Sequence, residues 1–364
     1  ATLLSERLPL GAPALRRRAE QPAEKARRRA LPDYAAEGTG IDAEAPRCAL
    51  LSNGTYCLAV SEAGQSFARW HALSVCRRGT RADPAAGPLL PGTAAGAQWH
   101  FTVRAAQFTA RHGDVTTVQT LTVPGRANGE VRALTLSSPR GIEGTVRFVF
   151  EAVLAPWEDY VNHPAFARLG FQSVLRRDAL LLRHLGRGEK PEAWLCAVCD
   201  RPGTWRAEGP VPGWLRAGRV ELSVPVHTAP DTPWRVRFAL GVGAREDDAF
   251  TAAQRALVLP PAMAAALPGE LAAQYGMTGA ELDGAMAAVS PLLFPAVAAG
   301  AAPGQLERPA LWAQGISGDL PVWCAQAERG VVRQWALLRA LGVACDLALR
   351  SGDGGDYRQP TAGK

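Results

Sequence analysis

The chain has 364 residues, of which 47% are hydrophobic and 20% charged, an ordinary globular balance over roughly two domain lengths. That composition excludes an intrinsically disordered chain, a coiled coil and a collagen-like repeat, and no apolar run approaches the ~20 residues that cross a bilayer. The net charge of +6 is carried almost wholly by arginine, because lysine occurs only at Lys25, Lys190 and Lys364.

Residues 1–46 are polar and rich in Ala, Arg and Pro. The triplets Arg16-Arg17-Arg18 and Arg27-Arg28-Arg29 sit among Glu20, Glu24, Asp33 and Glu37, the pattern of a solvated linker and not of a nucleic-acid stripe. No signal-peptide pattern opens the chain, and both ends read as cut from something longer.

From Arg47 the pattern changes to short strands. Leu50-Leu51, the turn Ser52-Asn53-Gly54 and the run Tyr56 to Val60 predict a hairpin. Trp99, Phe101 and Val103 alternate with polar positions, as do Val146, Phe148, Phe150, Ala152 and Leu154. Val220, Leu222, Val224 and Val226 repeat that period of two, followed by Val236, Phe238, Leu240 and Val242. The stretches 111–114, 125–129 and 139–141 carry hairpin-like turn chemistry. Many short strands without intervening helices predict an antiparallel β-sandwich over residues 47–244, with Phe148, Phe150, Val224 and Phe238 facing inward.

Helix follows. Residues 246–257 read as helical, with Asp248 as N-terminal charge. Thr278 and Glu281 have capping-box spacing and open a helix that runs to Val289 and is limited by Pro291. Residues 320–325 predict a strand. Residues 331–341 predict an amphipathic helix with Val331, Trp335, Leu338 and Leu341 on one stripe, closed by Gly342. Residues 343–349 predict a second strand, parallel to the first in a βαβ unit.

Chemistry-bearing motifs are few. There is no phosphate-cradling glycine loop, no HExxH and no GxSxG, and the six histidines are scattered singly. Cys196 and Cys199 form a CxxC without a second ligand pair, and an extended backbone turns the two thiols to opposite faces. No metal or cofactor is expected. The irregular spacing of the seven cysteines suits reduced thiols in a cytoplasmic compartment. Of the ten tryptophans, Trp70, Trp99 and Trp157 are candidate platforms for a sugar ring, against a plainer role as core or loop anchors. Ser317 and Asp319, between Gly315 and Gly318, form a loop of interest, read either as a contact loop or as a self-bonded turn.

Several strings resemble one family in collinear order. They are Leu50-Leu51-Ser52-Asn53-Gly54-Thr55-Tyr56, then Val60 to Trp70, then His163-Pro164-Ala165-Phe166. Glu307 to Trp312, Gly315 to Pro321, and Tyr357-Arg358-Gln359 continue the series. Together they are similar to the cyclic β-1,2-glucan synthases and cellobiose-phosphorylase-like proteins (glycoside hydrolase family 94, formerly glycosyltransferase family 36). Thr55 stands where that family has a basic residue, and Phe67-Ala68 where it has Tyr-Ser.

The resemblance implies a galactose-mutarotase-like β-supersandwich beside a helical (α/α)₆ barrel that carries the general acid and the phosphate site. It divides the chain into a polar linker (1–46), the supersandwich (47–244), linker helices (245–305) and a truncated α/β segment (306–364). The barrel has no counterpart here, so no catalytic residue is carried over. The implied function is a carbohydrate-binding or scaffold region of a cyclic β-1,2-glucan synthase-like or β-glucan phosphorylase-like protein. Its partners would be a β-glucan or oligosaccharide and the parent's barrel and glycosyltransferase domains. The expected location is cytoplasmic, with the parent attached to the inner membrane through other segments. The alternative is a self-contained mutarotase-like sugar enzyme, for which His163, His227 and Glu151 are candidates by residue type.

Overall fold

The computed structural model describes residues 32, 34–42, 47–78, 97–156, 170–185, 192–207, 214–215, 219–294 and 320–350. Its first strands are β1 (Ala35–Thr39), β2 (Cys48–Ser52), β3 (Tyr56–Ser61), β4 (Ser66–Trp70), β5 (Leu73–Arg78), β6 (Gln98–Thr102) and β7 (Ala105–His112). Next come β8 (Val115–Thr122), β9 (Gly129–Ser137), β10 (Ile142–Pro156), β11 (Phe171–Arg176), β12 (Ala179–His184) and β13 (Ala193–Cys199). The series ends with β14 (Thr204–Ala207), β15 (Trp214–Leu215), β16 (Arg219–Thr228) and β17 (Trp234–Gly243). Helices α1 (Glu246–Val258), α2 (Leu267–Gln274) and α3 (Gly279–Leu293) follow, then β18 (Val322–Gln326), α4 (Arg329–Ala340) and β19 (Asp346–Arg350).

Two antiparallel sheets carry the chain. One has ten strands in the order β1-β6-β7-β8-β9-β17-β13-β12-β11-β15, the other seven in the order β14-β16-β10-β5-β4-β3-β2. The alternation read along residues 146–154 and 220–242 puts one side of each strand between the sheets. Phe148 and Phe238, from opposite sheets, stack with centroids 4.9 Å apart, and both are buried with Phe150 and Val224.

The space between the sheets is not wholly apolar. Glu130 and Arg132 of β9 are buried and ion-paired at 2.6 Å. Tyr56 of β3 donates its hydroxyl proton to Glu130 (2.9 Å), and Arg132 donates to the Ser66 hydroxyl of β4 (3.0 Å). The pair is therefore neutralised and bonded across the two sheets, the condition under which buried charges are tolerated.

The helices close over the sandwich. Ala249, Ala253 and Ala256 of α1 pack on the outer face of the ten-stranded sheet, against Ala239, Val131 and Cys196. Leu282 and Met286 of α3, with Leu337, Leu338 and Leu341 at α4, join the main core. Thr278 and Glu281 form the expected capping box at the start of α3. At the end of α4, Gly342 takes φ +100°, and the N–H groups of Gly342 and Val343 donate to the carbonyls of Arg339 and Leu338. That is a Schellman closure, which favours glycine at this position. β18 and β19 pair in parallel around α4, as the strand–helix–strand pattern requires.

Three readings change. Residues 35–39, placed in a polar linker, form edge strand β1 against β6. Their weak patterning reflects an edge with one neighbour and half-exposed side chains. The turn at 139–141 does not close a hairpin: β9 pairs with β8 and β17, whereas β10 pairs with β5 and β16 in the other sheet. Turn chemistry records a reversal of the chain and not the partner it reaches. Helix α3 runs through Pro291 to Leu293. One missing N–H in the last turn is tolerated because the Phe294 N–H still donates to the Ser290 carbonyl.

Candidate functional site

The family-like string Leu50 to Tyr56 has a definite job. Asn53 sits in the β2–β3 turn, where its side-chain oxygen accepts from the backbone N–H groups of Thr55 (3.1 Å) and Tyr56 (2.8 Å). Its amide donates to the carbonyls of Pro124 and Ala127, both at 2.9 Å. The Thr55 hydroxyl lies 2.6 Å from Asn128 Oδ1. The β2–β3 turn of one sheet thus grips the β8–β9 connection of the other, and residues 124–128 are held in place by side-chain bonds.

That connection forms one wall of a groove of about 500 Å³. Arg126, Ala127 and Asn128 line it, with the end of β17 (Val242 to Ala244), Trp70 at the end of β4, and Asp248, Thr251, Ala252 and Arg255 of α1. The α1 residues follow i, i+3, i+4, i+7 spacing, one face of the helix. Close packing sets the depth of that wall. A Cβ on Gly241 would lie 2.1 Å from Ala253 N, and one on Gly243 would lie 2.6 Å from Asp248 Cβ. Glycine at both positions lets α1 lie directly on β17.

Charge in the groove is uneven. Asp248 accepts two bonds from the Arg245 guanidinium, at 2.9 and 3.0 Å, and these hold its carboxyl below the usual aspartate range. The Arg126 and Arg255 side chains are exposed and, among the described residues, have no ion-pair or hydrogen-bond partner. Trp70 is half-buried, with the His71 ring 5.1 Å away, and its indole N–H is buried with no acceptor among the described residues.

The expected site residues do not converge. Trp70 lines the groove. Trp99, expected as an open platform, is a core ring: it is 7% exposed, stacks on Phe101 at 4.8 Å and donates its indole N–H to the Gly40 carbonyl at 3.0 Å. It borders a separate cleft of about 570 Å³ with Glu37, Gln98 and His100 on strands β1 and β6. Trp157, Ser317, Asp319 and His163 lie outside the described residues. His227 faces Glu143 in the β10–β16 ladder, whereas Glu151 faces Arg219, eight positions further along. At roughly 3.3 Å per residue they stand about 26 Å apart and cannot act as one acid–base pair.

The cysteines are all free. Cys196 packs under α1 and Cys199 against the main core, so the CxxC thiols do face opposite ways. Burial pushes the Cys57 and Cys196 thiols up to about 12, and those of Cys199 and Cys345 up to about 11. Such thiols are poor ligands and poor nucleophiles. Among the described residues, no group of His, Cys, Asp and Glu could hold a metal ion.

Four groove residues, Arg126, Asn128, Asp248 and Arg255, were not among the candidates. The helix-face spacing of Asp248, Thr251 and Arg255 is visible in the sequence, but nothing local says that this face meets the 125–129 turn.

No protein-family profile matches the chain, and no curated protein matches it. Among solved structures it is similar to one described as a kojibiose phosphorylase from the human microbiome. That match has 5% identity and a TM-score of 0.47 over 71% of this chain and 41% of the other. It is also similar to a bacterial glucoamylase complexed with acarbose, at 5% identity and a TM-score of 0.39 over 69% of this chain and 41% of the other. A structure described as an aldose 1-epimerase from Escherichia coli K12 matches at 8% identity and a TM-score of 0.37, over 54% of this chain and 99% of the other. The chain thus spans about two fifths of the length of the first two.

Proposed function

We propose that this chain is the carbohydrate-binding and scaffolding region of a cyclic β-1,2-glucan synthase-like or β-glucan phosphorylase-like protein, and that it holds saccharide in the groove at Trp70. In this reading residues 47–244 are the binding module, residues 245–305 linker helices and residues 306–364 an α/β segment. The family's cytoplasmic setting is part of the same proposal. One observation carries the reading. An aromatic side chain borders a groove whose other walls present an amide, a hydroxyl, a carboxylate and two guanidinium groups. Sugars are recognised by that combination, because an aromatic ring covers the apolar C–H face of a pyranose while planar polar groups bond its hydroxyls. The Leu50 to Tyr56 string supports it, since the resemblance rests partly on residues whose turn builds the groove wall.

The test is calorimetric titration of the purified chain with β-1,2-gluco-oligosaccharides. Saturable binding that falls at least tenfold in Trp70→Ala, with circular dichroism showing that the variant keeps its fold, is the expected result. Absence of binding to any saccharide overturns the reading. The chain by itself should release no glucose 1-phosphate from β-glucans and phosphate. Release abolished by a point substitution in this chain would show that it carries its own catalytic centre.

A further inference from the structure

Resting on the reading that the Trp70 groove holds a saccharide, we infer that its ligand is acidic: a sugar ring lies on Trp70 while an anionic substituent sits between Arg126 and Arg255. The argument is one of charge balance. Three ionisable side chains line the groove: Arg126, Asp248 and Arg255. Asp248 already spends both oxygens on the Arg245 guanidinium, outside the groove lining. The two remaining guanidinium groups have no carboxylate of their own among the described residues. They come from separate elements, the gripped 125–129 turn and the α1 face, so they approach one ligand from two walls.

Guanidinium offers paired N–H donors that match the oxygens of a carboxylate or a phosphate ester, and it bonds these more strongly than a neutral hydroxyl. A neutral glucan would leave this surplus positive charge uncompensated. The two sources of the anion, a uronate carboxylate and a phosphate ester on the sugar, share this chemistry.

Four ligands are titrated into the full chain at low and high salt: a neutral gluco-oligosaccharide, a uronic-acid oligosaccharide of equal length, glucose 6-phosphate and inorganic phosphate. The proteins are the wild type, Trp70→Ala, and the double variant Arg126→Gln/Arg255→Gln, whose changes are on exposed side chains. At least one acidic saccharide should bind about tenfold more tightly than the neutral one. That advantage should vanish in the double variant and shrink at high salt, whereas Trp70→Ala should weaken every saccharide. Which acidic saccharide wins identifies the source of the anion. Equal affinity for neutral and acidic saccharides, unchanged in the double variant, overturns the charge inference and leaves the saccharide reading standing. Inorganic phosphate binding as tightly as the sugars, and indifferent to Trp70→Ala, overturns it in favour of a simple anion site. No saccharide binding at all overturns both.

Discussion

Gly241 shows how much one missing methyl group decides. An added Cβ would sit 2.1 Å from Ala253 N, inside the backbone of α1 and beyond the reach of any rotamer change. Gly241→Ala must therefore lift the helix from β17, and overpacking of this kind costs about 1–3 kcal/mol. Urea denaturation should show that loss, together with weaker ligand binding, because Thr251 and Arg255 move with the helix. The cysteines give a second residue-scale test. A thiol raised to about 12 by burial, as for Cys57 and Cys196, is ionised near pH 8 in only about one molecule in ten thousand. Cys324 is exposed. A thiol reagent should label Cys324 rapidly in the native protein, half-buried Cys199 more slowly, and Cys48, Cys57, Cys76, Cys196 and Cys345 only after denaturation. Rapid labelling of any of those last five would count against the buried core described above.

At the scale of elements, the start of α3 is the clearest case. Thr278 and Glu281 cap it reciprocally, and Glu281 also pairs with Arg333 of α4. The Thr278 backbone N–H, and after it the Arg333 guanidinium, hold the Glu281 carboxyl below the usual glutamate range. A lowered value means that the ionised form is favoured by folding. Its contribution is present above the ordinary glutamate range and is lost as pH falls through the folded value. Thr278→Ala should cost about 1 kcal/mol near neutrality. The stability advantage of the wild type over Glu281→Gln should shrink as pH is lowered into that window, and an advantage that grew there would contradict the assignment. Arginine serves other helix ends as well. Arg69 donates to the Gly342 carbonyl beyond α4, Arg104 to the Ala264 carbonyl that follows the 3₁₀ turn Pro261–Met263, and Arg237 to the Leu259 carbonyl that closes α1. These three basic side chains are thus bonded to backbone carbonyls within the fold.

For the whole molecule, the buried Tyr56, Ser66, Glu130 and Arg132 group ties one sheet to the other. Removing one charge strands its partner in the core. Arg132→Met should cost about 3–5 kcal/mol, whereas the double variant Glu130→Met/Arg132→Met should cost less, because no unpaired charge remains. Denaturation midpoints of the two variants decide the matter. If the double variant is the less stable, the network contributes more than mutual neutralisation. The helices also belong to this scale. Residues read as a linker after the sandwich bury Leu282, Met286 and Val289 in the same core as Leu50 and Tyr56.

By itself the sequence determined what depends on near neighbours in the chain. The period-two runs at 146–154 and 220–242, the Thr278 capping box, the Gly342 closure and the parallel strands around α4 all follow from local sterics, caps and solvent-facing patterns, which a single segment carries in full. The string Leu50 to Tyr56 was legible as a turn. Tertiary structure alone decided which strands pair, that the 139–141 turn crosses between sheets, that residues 35–39 complete an edge, and that Trp99 is enclosed while Trp70 borders a groove. It alone brought Arg126 and Arg255, more than a hundred residues apart, to one cleft. Register and burial are set by which surfaces exclude water together, and that is a property of the packed chain and not of any one stretch of it.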